Sequence, residues 1–152
     1  MGFLITLEKE RSYSKLTIKA YRNDLNRFHD FLKNYHGRDN LDLGRIDRQT
    51  IRHFLGREYE KEYSAKTVAR RLASVKSFFR YLVKAEVIED NVTVHVKTPK
   101  VPKSLPNFVS KNLIETLMNA PPADTIAGLR DRAILELFYS TGIRLSELVN
   151  LN

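Results

Sequence analysis

Between Ser64 and Lys84, apolar side chains fall at Val68, Leu72, Val75, Phe79 and Leu82. Steps of four and three bring all five to one side of an α-helix, whereas a strand would scatter them over both faces. Phe78 and Tyr81 widen the stripe, and Ser64 stands where an N-cap belongs. The period recurs upstream. Ser14 precedes Ile18, Tyr21, Leu25, Phe28 and Leu32, a helix expected to stop near Gly37, and Asp47 precedes Ile51, Phe54, Leu55 and Tyr59. A shorter helix is expected from Phe3 to about Arg11, with Phe3, Leu4 and Leu7 on one face. Four such helices with short connections can close one small core, so the chain reads as all-α. Strand-like alternation occurs only at Val92, Val94 and Val96, and prolines follow closely, so residues 92–96 read as extended linker.

The helical pattern breaks at Glu89-Asp90-Asn91. Residues 97–106 hold three prolines and three lysines, which favours an extended chain over a helix. Beyond them Ser110 caps a helix carrying Leu113, Ile114 and Leu117. Another helix runs from about Leu129 to Ser140, and a short last one follows the turn at Thr141-Gly142. The expected organisation is a helical domain over 1–90, a basic linker over 91–107 and the start of a second domain over 108–152. The 45 residues of that last part are few for a separate core, so they either pack on the first domain or belong to a longer protein, and the second reading is preferred.

The chain has 152 residues, with 26 Lys plus Arg against 18 Asp plus Glu and a net charge of +8. Residues 1–107 carry 22 basic and 13 acidic side chains, and residues 108–152 carry 4 and 5, so the excess lies wholly in the first part. Such asymmetry suits a polyanion-binding segment joined to something with another task; a soluble bundle with merely solvated Lys and Arg is the alternative. No apolar run is long enough for a transmembrane helix, and residues 1–10 lack the basic region and cleavage site of a signal peptide. There is no cysteine, hence no disulfide or thiolate chemistry, and a cytoplasmic protein is expected.

On a helical wheel, Lys66, Arg70, Ser74, Ser77, Arg80 and Lys84 lie opposite the stripe of the 64–84 helix, flanked by Thr67, Arg71 and Lys76, and no acid shares that face. Surface helices usually mix signs, because i,i+4 Glu–Lys pairs stabilise them. A one-sign face with hydroxyls suits double-stranded DNA or RNA, where Arg and Lys neutralise phosphates or bond guanine and Ser and Thr bond either. Lys15, Lys19, Arg22, Asn26 and Lys33 form a weaker strip on the 14–36 helix, with Thr17 near its start. Lys97, Lys100 and Lys103 either follow a phosphate backbone or keep the linker soluble; the first is favoured, since no acid occurs between Asn91 and Glu115.

The histidines at 29, 36, 53 and 95 lack metal-ligand spacing, and no glycine-rich phosphate loop is present, so neither a metal nor a nucleotide cofactor is expected. Arg144 follows Gly142 by two residues and stands at the mouth of a short helix beside Glu147. Its planar fork suits a phosphate, and an ordinary structural pairing explains it equally well.

The stretch Thr141-Gly142-Ile143-Arg144-Leu145-Ser146-Glu147-Leu148 resembles the box around the first catalytic arginine of the tyrosine recombinases, most closely the Xer type with its phage-integrase relatives. Thr17, Tyr21, Asp24 and Leu25, then Thr67, Arg70, Leu72 and Phe79, resemble the family's two DNA-facing helices. Pro99-Lys100 and Leu105-Pro106 resemble its linker, so the similarity runs nearly the whole chain in family order. Val92 stands where the family often has proline.

The resemblance implies a four-helix core-binding, SAM-like bundle, a linker, and the first helices of an incomplete catalytic domain. It implies a DNA partner, in the form of a recombination half-site, and other recombinase protomers, with neither a membrane nor a small-molecule substrate. The implied reaction cuts and rejoins DNA through a 3′-phosphotyrosyl intermediate without metal, for integration or chromosome-dimer resolution. Only Arg144 lands on a catalytic position, with Glu147 as the acid beside it; none of the seven tyrosines matches the nucleophile's context, so this chain is expected to bind DNA without cleaving it. A naturally short DNA-binding module that partners a full-length recombinase, and a helical protein-interaction domain, are the alternatives.

Overall fold

A computed structural model of the chain describes residues 2–10, 12–37, 42–102 and 108–151. Among them are seven α-helices, one 3-10 turn at Leu43–Arg45 and no strand. The chain falls into two compact units, Met1–Lys103 and Ser104–Asn152.

The first unit contains α1 (Gly2–Lys9), α2 (Lys15–His36), α3 (Arg48–Glu60) and α4 (Ala65–Lys84). One device starts three of the four. Ser14, Asp47 and Ser64 are N-caps whose side chains accept from the backbone N–H of Thr17, Thr50 and Thr67. The threonine hydroxyl closes the loop each time, at 2.9 Å from Ser14, 2.7 Å from Asp47 and 3.0 Å from Ser64. α2 stops at Gly37, whose N–H still bonds the Lys33 carbonyl while its φ of 63° turns the following chain out of the helix. α4 stops at Lys84, two residues after the last apolar position of its stripe, Leu82. Glu86 takes a φ of 54°, and the Val87 N–H bonds the Leu82 carbonyl at 2.9 Å, so a left-handed residue ends the helix without glycine.

The main core joins Phe28, Phe31 and Leu32 of α2 to Ile51 and Phe54 of α3 and to Val68, Leu72, Val75 and Phe79 of α4. Phe28 and Phe54 meet edge to face at 5.1 Å. A smaller cluster holds Phe3 and Leu7 of α1 against Ile18, with Tyr21 and Tyr81 packed on it, and Phe78 touches both clusters.

Residues 92–96 are not an extended linker. They form turns in which Asn91 Oδ1 accepts from the Thr93 N–H at 3.0 Å and the Thr93 hydroxyl at 2.7 Å. Thr93 and Val96 are buried, and Val96 belongs to the main core. The alternating valines mark a turn whose inward positions are three apart.

The second unit contains α5 (Lys111–Asn119), α6 (Ile126–Thr141) and α7 (Leu145–Val149). Ser110 and Thr125 cap α5 and α6. Gly128 lies so close to Pro122 that a Cβ would sit 1.8 Å from the Pro122 carbonyl oxygen. It is the one buried residue among those described in this unit, while Phe108, Leu113, Leu117, Leu129, Leu145 and Val149 are exposed. These three helices do not close a core of their own.

Candidate nucleic-acid interface

Two adjacent helices of the first unit present basic stripes. On α2, Lys15, Lys19, Arg22 and Asn26 follow one another at steps of four, three and four, and all are exposed. Lys15, Lys19 and Arg22 line a shallow groove with Ile18 and Asn23, and Glu8 of α1 contributes an acid to it. On α4, Lys66, Arg70 and Arg80 are exposed. The Thr17 and Thr67 hydroxyls are half-buried and engaged by their cap serines.

Not every residue of the expected α4 face reaches solvent. Ser74 is buried and donates its hydroxyl to Asp24 Oδ2 at 2.7 Å. Arg71 is 12% exposed, pairs with Glu58 and lies over the Tyr63 ring at 4.0 Å. Lys76 is partly buried, and its ammonium donates to the Val96 carbonyl at 2.6 Å. The wheel of α4 taken alone shows no acid on that face. Packing supplies two: Asp24 from α2 and Glu58 from α3, whose side chains are 3% and 4% exposed.

Asp24 receives Nη1 of Arg70 and the Ser74 hydroxyl, with Nε of Arg71 at 4.0 Å. That Nε is buried and has no hydrogen-bond partner, so Asp24 compensates it by charge alone. Glu58 receives Nη1 of Arg71 and Nε of Arg27 at 2.8 Å. The Glu58 hydrogen bond raises the pKa of Arg27 above its ordinary value. Tyr63 lies under both guanidinium groups of the Glu58 pair. The network ties α2, α3 and α4 together beneath the basic stripes. The Arg70 side chain stays half exposed above it, so one arginine is anchored from below and open from above.

The sequence carries a sign of both acids. Asp24 falls three after Tyr21 and four before Phe28, and Glu58 falls four after Phe54, so each interrupts an apolar stripe. A carboxylate in such a place needs partners, and Arg70 and Arg71 of α4 and Arg27 of α2 supply them.

Lys97 and Lys100 are exposed, and Lys103 lies outside the described residues. Arg144 caps α7. Its backbone N–H donates to Glu147 at 2.9 Å, its guanidinium to the same carboxylate at 3.0 Å, and its side chain is 80% exposed. Among the described residues no three His, Asp or Glu side chains gather as round a metal ion, and no helix is long and apolar enough to cross a membrane.

Tyrosine recombinases named XerC are similar over nearly the whole chain. That of Syntrophus aciditrophicus is 41% identical across 96% of this chain and 48% of its own length. Those of Natranaerobius thermophilus and Staphylococcus aureus are 39% and 37% identical, across 100% and 99% of this chain and 50% and 49% of theirs. The chain thus spans about half the length of the curated relatives it matches. Residues 1–86, the four helices that carry the buried carboxylates and the basic stripes, match the phage integrase N-terminal SAM-like domain, and the chain belongs to that family.

Proposed function

We propose that the first unit binds double-stranded DNA through α2 and α4, as part of a site-specific tyrosine recombinase. The carrying observation is the pair of adjacent exposed stripes, Lys15, Lys19 and Arg22 on one helix and Lys66, Arg70 and Arg80 on the other, with Asp24 of the first helix holding Arg70 of the second. A cation braced as Arg70 is loses little conformational freedom on binding, which favours a fixed register on DNA. Lys66 and Arg80 neutralise phosphates, and Arg70, aimed from below by Asp24, reads a base edge. The names of the relatives support the recombinase reading, and the lack of cysteine agrees with a cytoplasmic setting.

In this reading Arg144 is one phosphate-stabilising arginine of the recombination reaction, and Glu147 holds it. A tyrosine nucleophile attacks the DNA phosphate, and the resulting 3′-phosphotyrosyl link conserves the phosphoester for rejoining. No tyrosine of this chain takes that role, so the chain binds without cleaving.

The test is fluorescence anisotropy of the 152-residue chain with a duplex, across a salt series. The expected log–log slope is several units, at about 0.9 per phosphate neutralised. On a selected cognate half-site, Arg70→Ala should cost about 1–3 kcal/mol, while Lys100→Ala weakens all sequences alike. A folded chain that ignores DNA at low salt would move the assignment to a protein-interaction domain.

A further inference from the structure

Arg48 and Arg52 have no place in the DNA face just described, yet they line a groove of about 470 Å³ with Leu55 and Tyr59 of α3, with His95 of the 92–96 turn and with Lys97 just after it. No carboxylate lines it. Arg48, Arg52, His95 and Lys97 are exposed, and among the described residues none of them is held in an ion pair. The adjoining groove on the far side of the two arginines contains Asp47 and Glu60, and the Asp47 carboxylate is occupied by Thr50.

The groove is joined to the α4 face. Lys76, on the flank of that face, donates to the Val96 carbonyl, the residue between His95 and Lys97. From there the linker runs on through Lys100, and no acid occurs between Asn91 and Glu115. One sign of charge therefore continues from α4 across Lys76 into the groove. A polyanion long enough to pass from the α4 face over Lys76 to the groove meets basic side chains at both ends, which suits a duplex better than a short acidic peptide. Arg48 and Arg52 are one helical turn apart, with Cβ atoms about 5–6 Å from each other, so their forks can take neighbouring phosphates of one strand.

We propose that this groove is a second backbone site, in which Arg48, Arg52 and Lys97 bind phosphodiesters of the DNA held by α2 and α4. It rests on the DNA-binding reading and extends it to a helix that reading leaves unused. The site would fix where the chain leaves the helical unit along the DNA, because Lys97 opens the proline-containing segment.

The probe is a fluorescein-labelled random-sequence duplex, titrated by anisotropy from low to moderate salt with the full chain. Arg48→Ala/Arg52→Ala should lower the salt slope by about 1.8 units and Lys97→Ala by about 0.9, at roughly 0.9 per phosphate contact. Arg48→Lys/Arg52→Lys should keep the slope, since a phosphate needs only the charge. Circular dichroism checks the folding of the α3 variants; if they fail to fold, Lys97→Ala decides, because Lys97 lies outside the helices. Lys66→Ala/Arg80→Ala separates the two readings. If it lowers the slope while the groove variants keep it in full, the groove site is wrong and the DNA face stands. If the unaltered chain does not bind, both fail. Labelled polyglutamate that binds through Arg48 and Arg52, with the DNA slope unmoved in their absence, would assign the groove to an acidic protein and overturn the proposal.

Discussion

Glu58 and Asp24 are both buried acids that hold arginines, but they do not bear the same weight. Glu58 compensates Arg71, whose side chain is 12% exposed, so its loss leaves a guanidinium with little access to water and no hydrogen-bonded partner. Asp24 holds Arg70, which is half exposed and can rehydrate, and the Ser74 hydroxyl, which cannot, while Arg71, 4.0 Å away, keeps its hydrogen bond to Glu58 when Asp24 is lost. Glu58→Ala should therefore cost about 3–5 kcal/mol, the range for breaking a buried pair, and Asp24→Ala about 1–3 kcal/mol, the range for an orphaned buried polar group. Urea unfolding checks the order; equal losses would contradict this account of the network. At this scale the sequence is only partly legible. Lys15, Lys19, Arg22, Lys66 and Arg80 stand exposed, as a wheel suggests. Ser74 and Arg71 are turned inward, because a wheel holds one helix and the groups that claim these two side chains come from others.

Helix starts are written locally. Each cap residue reaches a backbone N–H three positions on, so Ser14, Asp47 and Ser64 mark the starts of α2, α3 and α4 without help from distant parts of the chain. Asp47 is the ionisable one. The Thr50 hydroxyl, and then its N–H, hold the Asp47 carboxyl below its ordinary range. A carboxylate lowered in the folded state stabilises fully above its unfolded pKa and loses that contribution as pH falls through the folded value. Asp47→Ala should cost about 1 kcal/mol at neutral pH, as a lost N-cap does. The gap between variant and parent should narrow below about pH 4, near the ordinary aspartate value. Thermal melts across pH measure this, and a pH-independent gap would remove the charge from the explanation. Helix ends are less legible. α3 and α4 turn off through Glu62 and Glu86 in the left-handed region, and nothing in a glutamate announces that conformation.

Across the whole molecule the two units differ in how they are held. Two apolar clusters and the arginine–carboxylate network hold Met1–Lys103, whereas the helices after Ser104 leave their large apolar side chains exposed or only half-buried. Amide hydrogen exchange should therefore be slowest in α2 and α4 and faster by orders of magnitude in α5 and α7, since exchange protection follows local packing. Uniform protection across both units would show that the second closes a core after all. The basic excess of residues 1–107 lies largely in the well-packed unit, which is what a surface that must hold its cations in register requires.

The sequence by itself determined the all-helical class, the three capped helix starts, the apolar stripes and the sign of the charge on α2 and α4. All of these depend on residues within about two turns of one another. Tertiary structure alone decided that Asp24 and Glu58 sit beneath α4, that Val96 joins the core and that Arg48 meets Lys97 across a groove. Those contacts join residues 13 or more positions apart, and only the packing of one helix on another sets which side chains meet.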